Sequence, residues 1–168
     1  MARHALHTSG SNKSQKSPAI DAYLSAVRRS AGPHVYVSFL GIKAYDTSSI
    51  HEQVRRGLPF DSMERLARVM TLSMPTAAEI LLIPPRTLQR RKESGRLRPD
   101  ESDRLVRLSR IYGRAVELFE GDNDAAIHWL KSPFAALSGA TPLQMCQTEP
   151  GSLEVEHLIG RLEHGVFS

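Results

Sequence analysis

Apolar residues recur along this chain at helical rather than alternating spacing, and they divide it into a series of short amphipathic segments. After Ser17-Pro18, which suits a helix start, Ile20, Leu24 and Val27 form one face that runs out near Gly32. A helix is predicted from Ser48 to Arg56, stopped by Gly57. The next begins near Pro59, with Met63, Leu66, Ala67 and Met70 at i, i+3, i+4 and i+7, and with Asp61 and Glu64 resembling a capping pair. Two short pieces follow, Ala78–Leu82 and Pro85–Lys92, joined around Ile83-Pro84. Ala78, Ile83 and Leu88 recur at intervals of five, as two helices packed across a turn require. The longest helix is expected from Asp103 to Glu120, with an apolar line of Leu105, Leu108, Tyr112, Ala115 and Phe119. Gly121-Asp122 then caps a helix over Asn123–Lys131 that offers Ile127, Trp129 and Leu130 to a core. Ser132–Pro142 reads as loop and Leu143–Cys146 as a single helical turn. Val155, Leu158, Ile159 and Leu162 mark a last helix, ended by Gly165. Only Pro33–Asp46 breaks the pattern: it is β-branched and aromatic, and suits either a short strand or a buried loop. The expected fold is all-α.

Charge changes the picture at the two-helix corner. Between Thr76 and Arg98 (TAAEILLIPPRTLQRRKESGRLR), the second piece and its tail carry Arg86, Arg90, Arg91, Lys92, Arg96 and Arg98 against Glu93. On a helix Arg86 and Arg90 lie within about 40° of each other and roughly opposite Leu88. With Leu88 inward, they project outward beside Gln89, as a recognition helix presents Arg and Gln to base edges. The competing reading is a solvated basic face on an ordinary helical corner. Leu82 stands where glycine normally supplies a positive φ, so the turn needs an altered geometry. The long helix carries a second basic stripe, Arg104, Arg107, Arg110 and Arg114. It reads as a solvated face pairing with nearby acids in preference to a phosphate or acidic-partner surface.

Composition narrows the function classes. The chain has 168 residues and a net charge of +4, which permits an anionic partner. The single cysteine, Cys146, excludes an internal disulfide framework and reads as a small buried hydrophobe. No apolar run reaches the roughly 18 residues of a membrane span, and the amino terminus has no signal-like apolar stretch, so the expected location is cytoplasmic, away from membranes. No phosphate-binding glycine loop, HExxH or CxxC occurs. The seven histidines are scattered, with His4 and His7 in the polar tail and His157 and His164 on the last helix, and none makes a convincing metal set. No catalytic residue, metal or cofactor is expected.

Two blocks resemble the Xre/MbcA/ParS antitoxins of bacterial toxin–antitoxin modules. The first is PPRTLQRRKESGRLRPDESDRLVRL, Pro84 to Leu108. The second is HWLKSPFAALSGATPLQMCQTEPG, His128 to Gly151, followed by VEHLIGRLEHGVFS. The resemblance covers about residues 40–168. It implies an Xre-like helix-turn-helix domain followed by a small helical toxin-binding domain. The chain then divides into a flexible tail (1–17), a helical amino-terminal region with the corner (18–98) and a toxin-binding domain (99–168), with Leu97–Asp100 as the hinge. It implies DNA contacts by Arg86, Thr87, Gln89, Arg90, Arg91 and Lys92, reading an operator as a homodimer. The partner toxin in such modules is often a RES-domain, NAD-degrading enzyme. The carboxyl end, here Glu163, His164, Gly165, Val166, Phe167 and Ser168, lies at or near the toxin's active site. Two alternatives stand beside this: a free-standing dimeric helix-turn-helix regulator without a toxin, and an interaction protein that binds no DNA.

Overall fold

The computed structural model describes residues 17–165. The tail to residue 16, with His4 and His7, and the terminal Val166, Phe167 and Ser168 lie outside the described residues. Among the described residues the chain is helical throughout, with no strand and one isolated bridge between Pro59 and Arg96.

Helix α1 (Pro18–Arg28) starts at a proline and buries Ile20, Tyr23 and Ala26, with Leu24 and Val27 half covered; it stops short of Gly32. The ambiguous segment forms no strand: its first half is helical, and residues 41–46 are loop, with Ile42 buried. Val35–Leu40 is a 3-10 helix closed by Gly41 at φ +79°, and Val35, Val37, Phe39 and Leu40 are buried between α1 and later helices. Six residues are too few for periodicity to separate this conformation from a strand.

Helix α2 (Thr47–Arg56) is capped by Asp46, whose carboxylate accepts from Ser49 N–H at 2.9 Å. Helix α3 (Phe60–Val69) buries Met63, Leu66 and Ala67, followed by Met70. The expected Asp61–Glu64 cap does not form: Pro59 is the N-cap, and Asp61 instead pairs with Arg65 at 2.6 Å. The free Phe60 N–H donates to Gly95 O at 2.9 Å, so a distant backbone carbonyl satisfies the helix end.

Helices α4 (Met74–Ile80) and α5 (Pro85–Ser94) form the corner, and α6 (Pro99–Leu118) follows. Helix α6 is the axis of the molecule. It packs against the 3-10 segment, α2 and α1, and further along against α7 (Asn123–Lys131) and α9 (Glu149–Glu163). Leu105, Leu108, Ile111, Tyr112, Ala115 and Val116 are almost completely buried. Each large aliphatic burial of this kind contributes about 1.5–3 kcal/mol. Tyr112 joins three elements: its ring meets Phe39 edge-on at 4.9 Å, and its hydroxyl donates to Asn123, whose amide donates to Val69 O.

The carboxyl-terminal helices close over the far half of α6. Asp122 caps α7 and Thr141 caps the short α8 (Pro142–Met145) in a capping box with Gln144. Thr148 caps α9 by accepting from Gly151 N–H at 3.2 Å. Trp129 is buried between Phe119 and Phe134, and a brief 3-10 turn (Ala135–Leu137) lies inside the expected loop.

The stretch Leu97–Asp100 is a clamp rather than a hinge. Leu97 is buried and its N–H donates to Leu58 O at 2.9 Å. The hydroxyl of Ser102 accepts from Leu58 N–H and donates to Arg98 O. Gly57, at φ +78°, lies so close that an added Cβ would stand 2.1 Å from Leu97 O.

Candidate functional site

The corner has the arrangement that the five-residue spacing predicts. Ala78 and Ile83 are buried and Leu88 packs partly against the core. Ser73 caps α4 through Thr76 N–H, while α5 begins at Pro84-Pro85 with no side-chain cap. Leu82 occupies the left-handed region at φ +55° and is half exposed, so the turn is made without glycine at the cost of local strain. Gly95, at φ +69°, closes α5.

On α5 the exposed residues include Arg86, Gln89, Arg90, Lys92 and Glu93, with Thr87 partly covered. Gln89 donates to Glu93 at 2.9 Å, which orders its amide on the outer face. Arg91 departs from the set expected to meet DNA. It is only 9% exposed, and its Nε donates to both carboxylate oxygens of Glu101, at 3.0 and 2.7 Å. It points into the fold because it falls on the Leu88 side of the helix, where a charge is tolerated only with a partner. Glu101 Oε2 also accepts from Arg98 N–H at 2.8 Å. One turn on, Arg104 Nε donates to Leu81 O at 2.7 Å, at the end of α4.

Sequence reasoning left Glu101 and Ser102 without a role and placed Arg104 on a solvated stripe, although all three stand inside the block that carries the resemblance. The missing signal is long-range: nothing in the local pattern pairs Arg91 with a carboxylate ten positions on.

The α6 arginine stripe is not a solvated face. Arg107 pairs with Asp103 at 2.7 Å and with Glu149 at 2.6 Å; its side chain is 12% exposed. Arg110 donates to Glu149 at 3.1 Å and lies 2.7 Å from Glu156 without hydrogen-bond alignment, and Arg114 reaches Glu163 at 2.9 Å. The pairs with Glu149, Glu156 and Glu163 tie α6 to α9. Partial desolvation works to raise the Glu149 carboxyl, but hydrogen bonds from Arg110 and Arg107 outweigh it and hold the group below its ordinary value.

At the carboxyl end, Glu163 is thus anchored by Arg114, while His164 and Gly165 are exposed. Gly165 takes φ +66°, ending α9 as expected. The other three residues of that expected site, Val166 to Ser168, lie outside the described residues. A feature not anticipated is Leu153, 44% exposed on the outer side of α9 near Glu154 and His157. Cys146 is buried, as expected of a small hydrophobe, and burial pushes its thiol up to about 12. No cluster of three or more potential metal ligands occurs among the described residues, and no helix there is long and apolar enough to cross a membrane.

Comparison with known proteins divides the chain within α6. Residues 49–110 match the antitoxin Xre-like helix-turn-helix domain, and residues 114–165 match the antitoxin Xre/MbcA/ParS C-terminal toxin-binding domain. Among curated relatives, "Antitoxin Xre" of Yersinia enterocolitica is 40% identical over 133 residues, covering 77% of this chain and 88% of that protein. "Antitoxin Xre" of Photorhabdus laumondii is 38% identical, over 68% of this chain and 78% of the relative. The protein of that name in Pseudomonas putida is 33% identical, over 86% and 92% respectively. The chain therefore belongs to the Xre antitoxin family, toxin-binding regulatory proteins rather than enzymes, in which a helix-turn-helix domain precedes a carboxyl-terminal toxin-binding domain.

Proposed function

We propose that this antitoxin neutralises a cognate RES-domain, NAD-degrading toxin by presenting the end of α9 to the toxin's active site, and that it binds operator DNA as a homodimer to repress its own operon. The contacts on the toxin side are Glu163, His164, Gly165, Val166, Phe167 and Ser168. On DNA they are Arg86, Thr87, Gln89, Arg90 and Lys92; Arg91 leaves the set because its charge is already satisfied inside the fold. Both activities belong in the cytoplasm, where operon and toxin coexist.

The observation that carries the reading is the pairing, in one chain, of a toxin-binding domain with a corner whose second helix exposes three basic residues, Arg86, Arg90 and Lys92. The end of α9 supports the toxin contact in a further way. Arg114 holds Glu163 at the end of α9, and the sequence that follows Gly165 carries two apolar residues, Val166 and Phe167. An apolar anchor beside polar neighbours has the form of a binding hot spot.

The test is a growth assay in which the neighbouring reading frame is induced alone or with this chain while cellular NAD is followed. Arrest with NAD loss, relieved by the full chain and not by a chain lacking Gly165–Ser168, is the expected result. Full relief by the shortened chain overturns the role of the terminus; arrest with NAD intact overturns the toxin chemistry.

A further inference from the structure

The geometry points to Arg91, Glu101 and Arg104 as positioning residues for DNA reading: a latch by which α6 sets the angle of the corner without itself touching the duplex. The inference rests on the reading of α5 as the DNA-contacting helix. Its starting point is the odd basic residue. Arg86, Arg90 and Lys92 are exposed, yet Arg91 is buried against Glu101. Taking both charges out of water offsets much of their attraction, so such a pair is a weak source of stability compared with apolar packing. What it supplies is direction. An Nε–H aimed at a carboxylate fixes the rotation of α5 about its own axis, which the partly covered Leu88 leaves freer.

The carboxylate is fixed in turn. Glu101 sits at the N3 position of α6 and also accepts from Arg98 N–H, so the latch is anchored to the first turn of the longest helix. Arg104, three residues on, grips the other arm of the corner. Its Nε–H meets Leu81 O, the carbonyl just before the left-handed Leu82. Asp100 holds the same guanidinium from its other side at 3.0 Å. Helix α6 therefore holds α5 by one side chain and the turn by another. Groove contacts tolerate only about 0.5 Å or 10–20° of misplacement. A small rotation of α5 is enough to carry Arg86, Gln89 and Arg90 off their base edges.

The full chain is tested by fluorescence anisotropy on a duplex from the promoter of its own gene, with a scrambled duplex as control, over a series of salt concentrations. The double variant Arg91→Met with Glu101→Leu replaces the pair by apolar side chains and leaves no orphan charge. Arg104→Met, at a less buried site, serves as an independent variant that leaves the α5 latch intact. For both, the melting temperature and the stoichiometric endpoint are measured to count folded, competent protein. The expected result is a folded double variant that binds the promoter duplex at least tenfold more weakly, with a smaller loss in Arg104→Met. Scrambled-duplex affinity and the slope of log affinity against log salt should match wild type, because no phosphate contact is lost. Arg86→Ala with Arg90→Ala should instead flatten that slope by about 0.9 per phosphate contact removed, on both duplexes. Full promoter affinity in both latch variants overturns the latch, and so does a flattened slope in the double variant, which would make Arg91 a phosphate contact. A wild-type chain with no preference for the promoter duplex overturns the DNA reading and the latch with it.

Discussion

Gly57 and Leu82 both take a positive φ, +78° and +55°, but under opposite constraints. Leu82 is exposed, so a side chain there meets solvent and the penalty is confined to its own backbone. Gly57 is buried against the chain that closes the clamp, and a Cβ there would meet the Leu97 carbonyl at 2.1 Å. Gly57→Ala should therefore destabilise the fold by about 3 kcal/mol, combining conformational strain with a displaced backbone contact. Urea denaturation followed by circular dichroism measures it, and a change below about 0.5 kcal/mol, the level of an ordinary surface substitution, contradicts the clamp. The stop at Gly57 was legible in the sequence. That the same residue admits Leu97 was not, because the two lie forty positions apart.

Between elements, the ion pairs joining α6 to α9 show how a charge pattern changes meaning on folding. Arg104, Arg107, Arg110 and Arg114 share one helical face, and that much follows from their spacing. Pairing with nearby acids was expected too, but on a solvated face, whereas three of the carboxylates come from α9: Glu149, Glu156 and Glu163. Glu149 is the hub, bonded by both Arg107 and Arg110. Its side chain is 48% exposed, so solvent screening limits its contribution, and Glu149→Gln should destabilise by about 1 kcal/mol at pH 7. Because the folded carboxyl lies below its unfolded value, the contribution is present above about pH 4.3 and is lost as pH falls through the folded value. Denaturant titrations of both proteins should differ at pH 7 and converge in strong acid. An equal gap at both pH values would assign the effect to packing.

At the scale of the molecule, the family matches meet within α6, at residues 110 and 114, yet the buried side chains form one continuous cluster from Ile20 to Ile159. A helix shared by two halves cannot lose one partner without exposing apolar surface to the other's cost. Heat or urea should then unfold the chain in a single transition. The fluorescence of Trp129, in the carboxyl-terminal half, should follow the same curve as the far-ultraviolet circular dichroism of all the helices at a given protein concentration. An earlier Trp129 transition would mean that the toxin-binding half melts independently.

The sequence by itself determined the helical class, most helix starts and stops, the corner, the burial of Cys146 and Trp129, and the likeness to the antitoxin family. These are consequences of local spacing, capping residues and motif order, which act over a few positions. Tertiary structure decided the 3-10 conformation of Val35–Leu40, the inward turn of Arg91, the conversion of Leu97–Asp100 from hinge to clamp, and the use of the arginine stripe as a seam. Each depends on a partner far along the chain. A short apolar segment takes the shape of the space it fills, and an arginine turns inward only where a distant carboxylate waits to meet it.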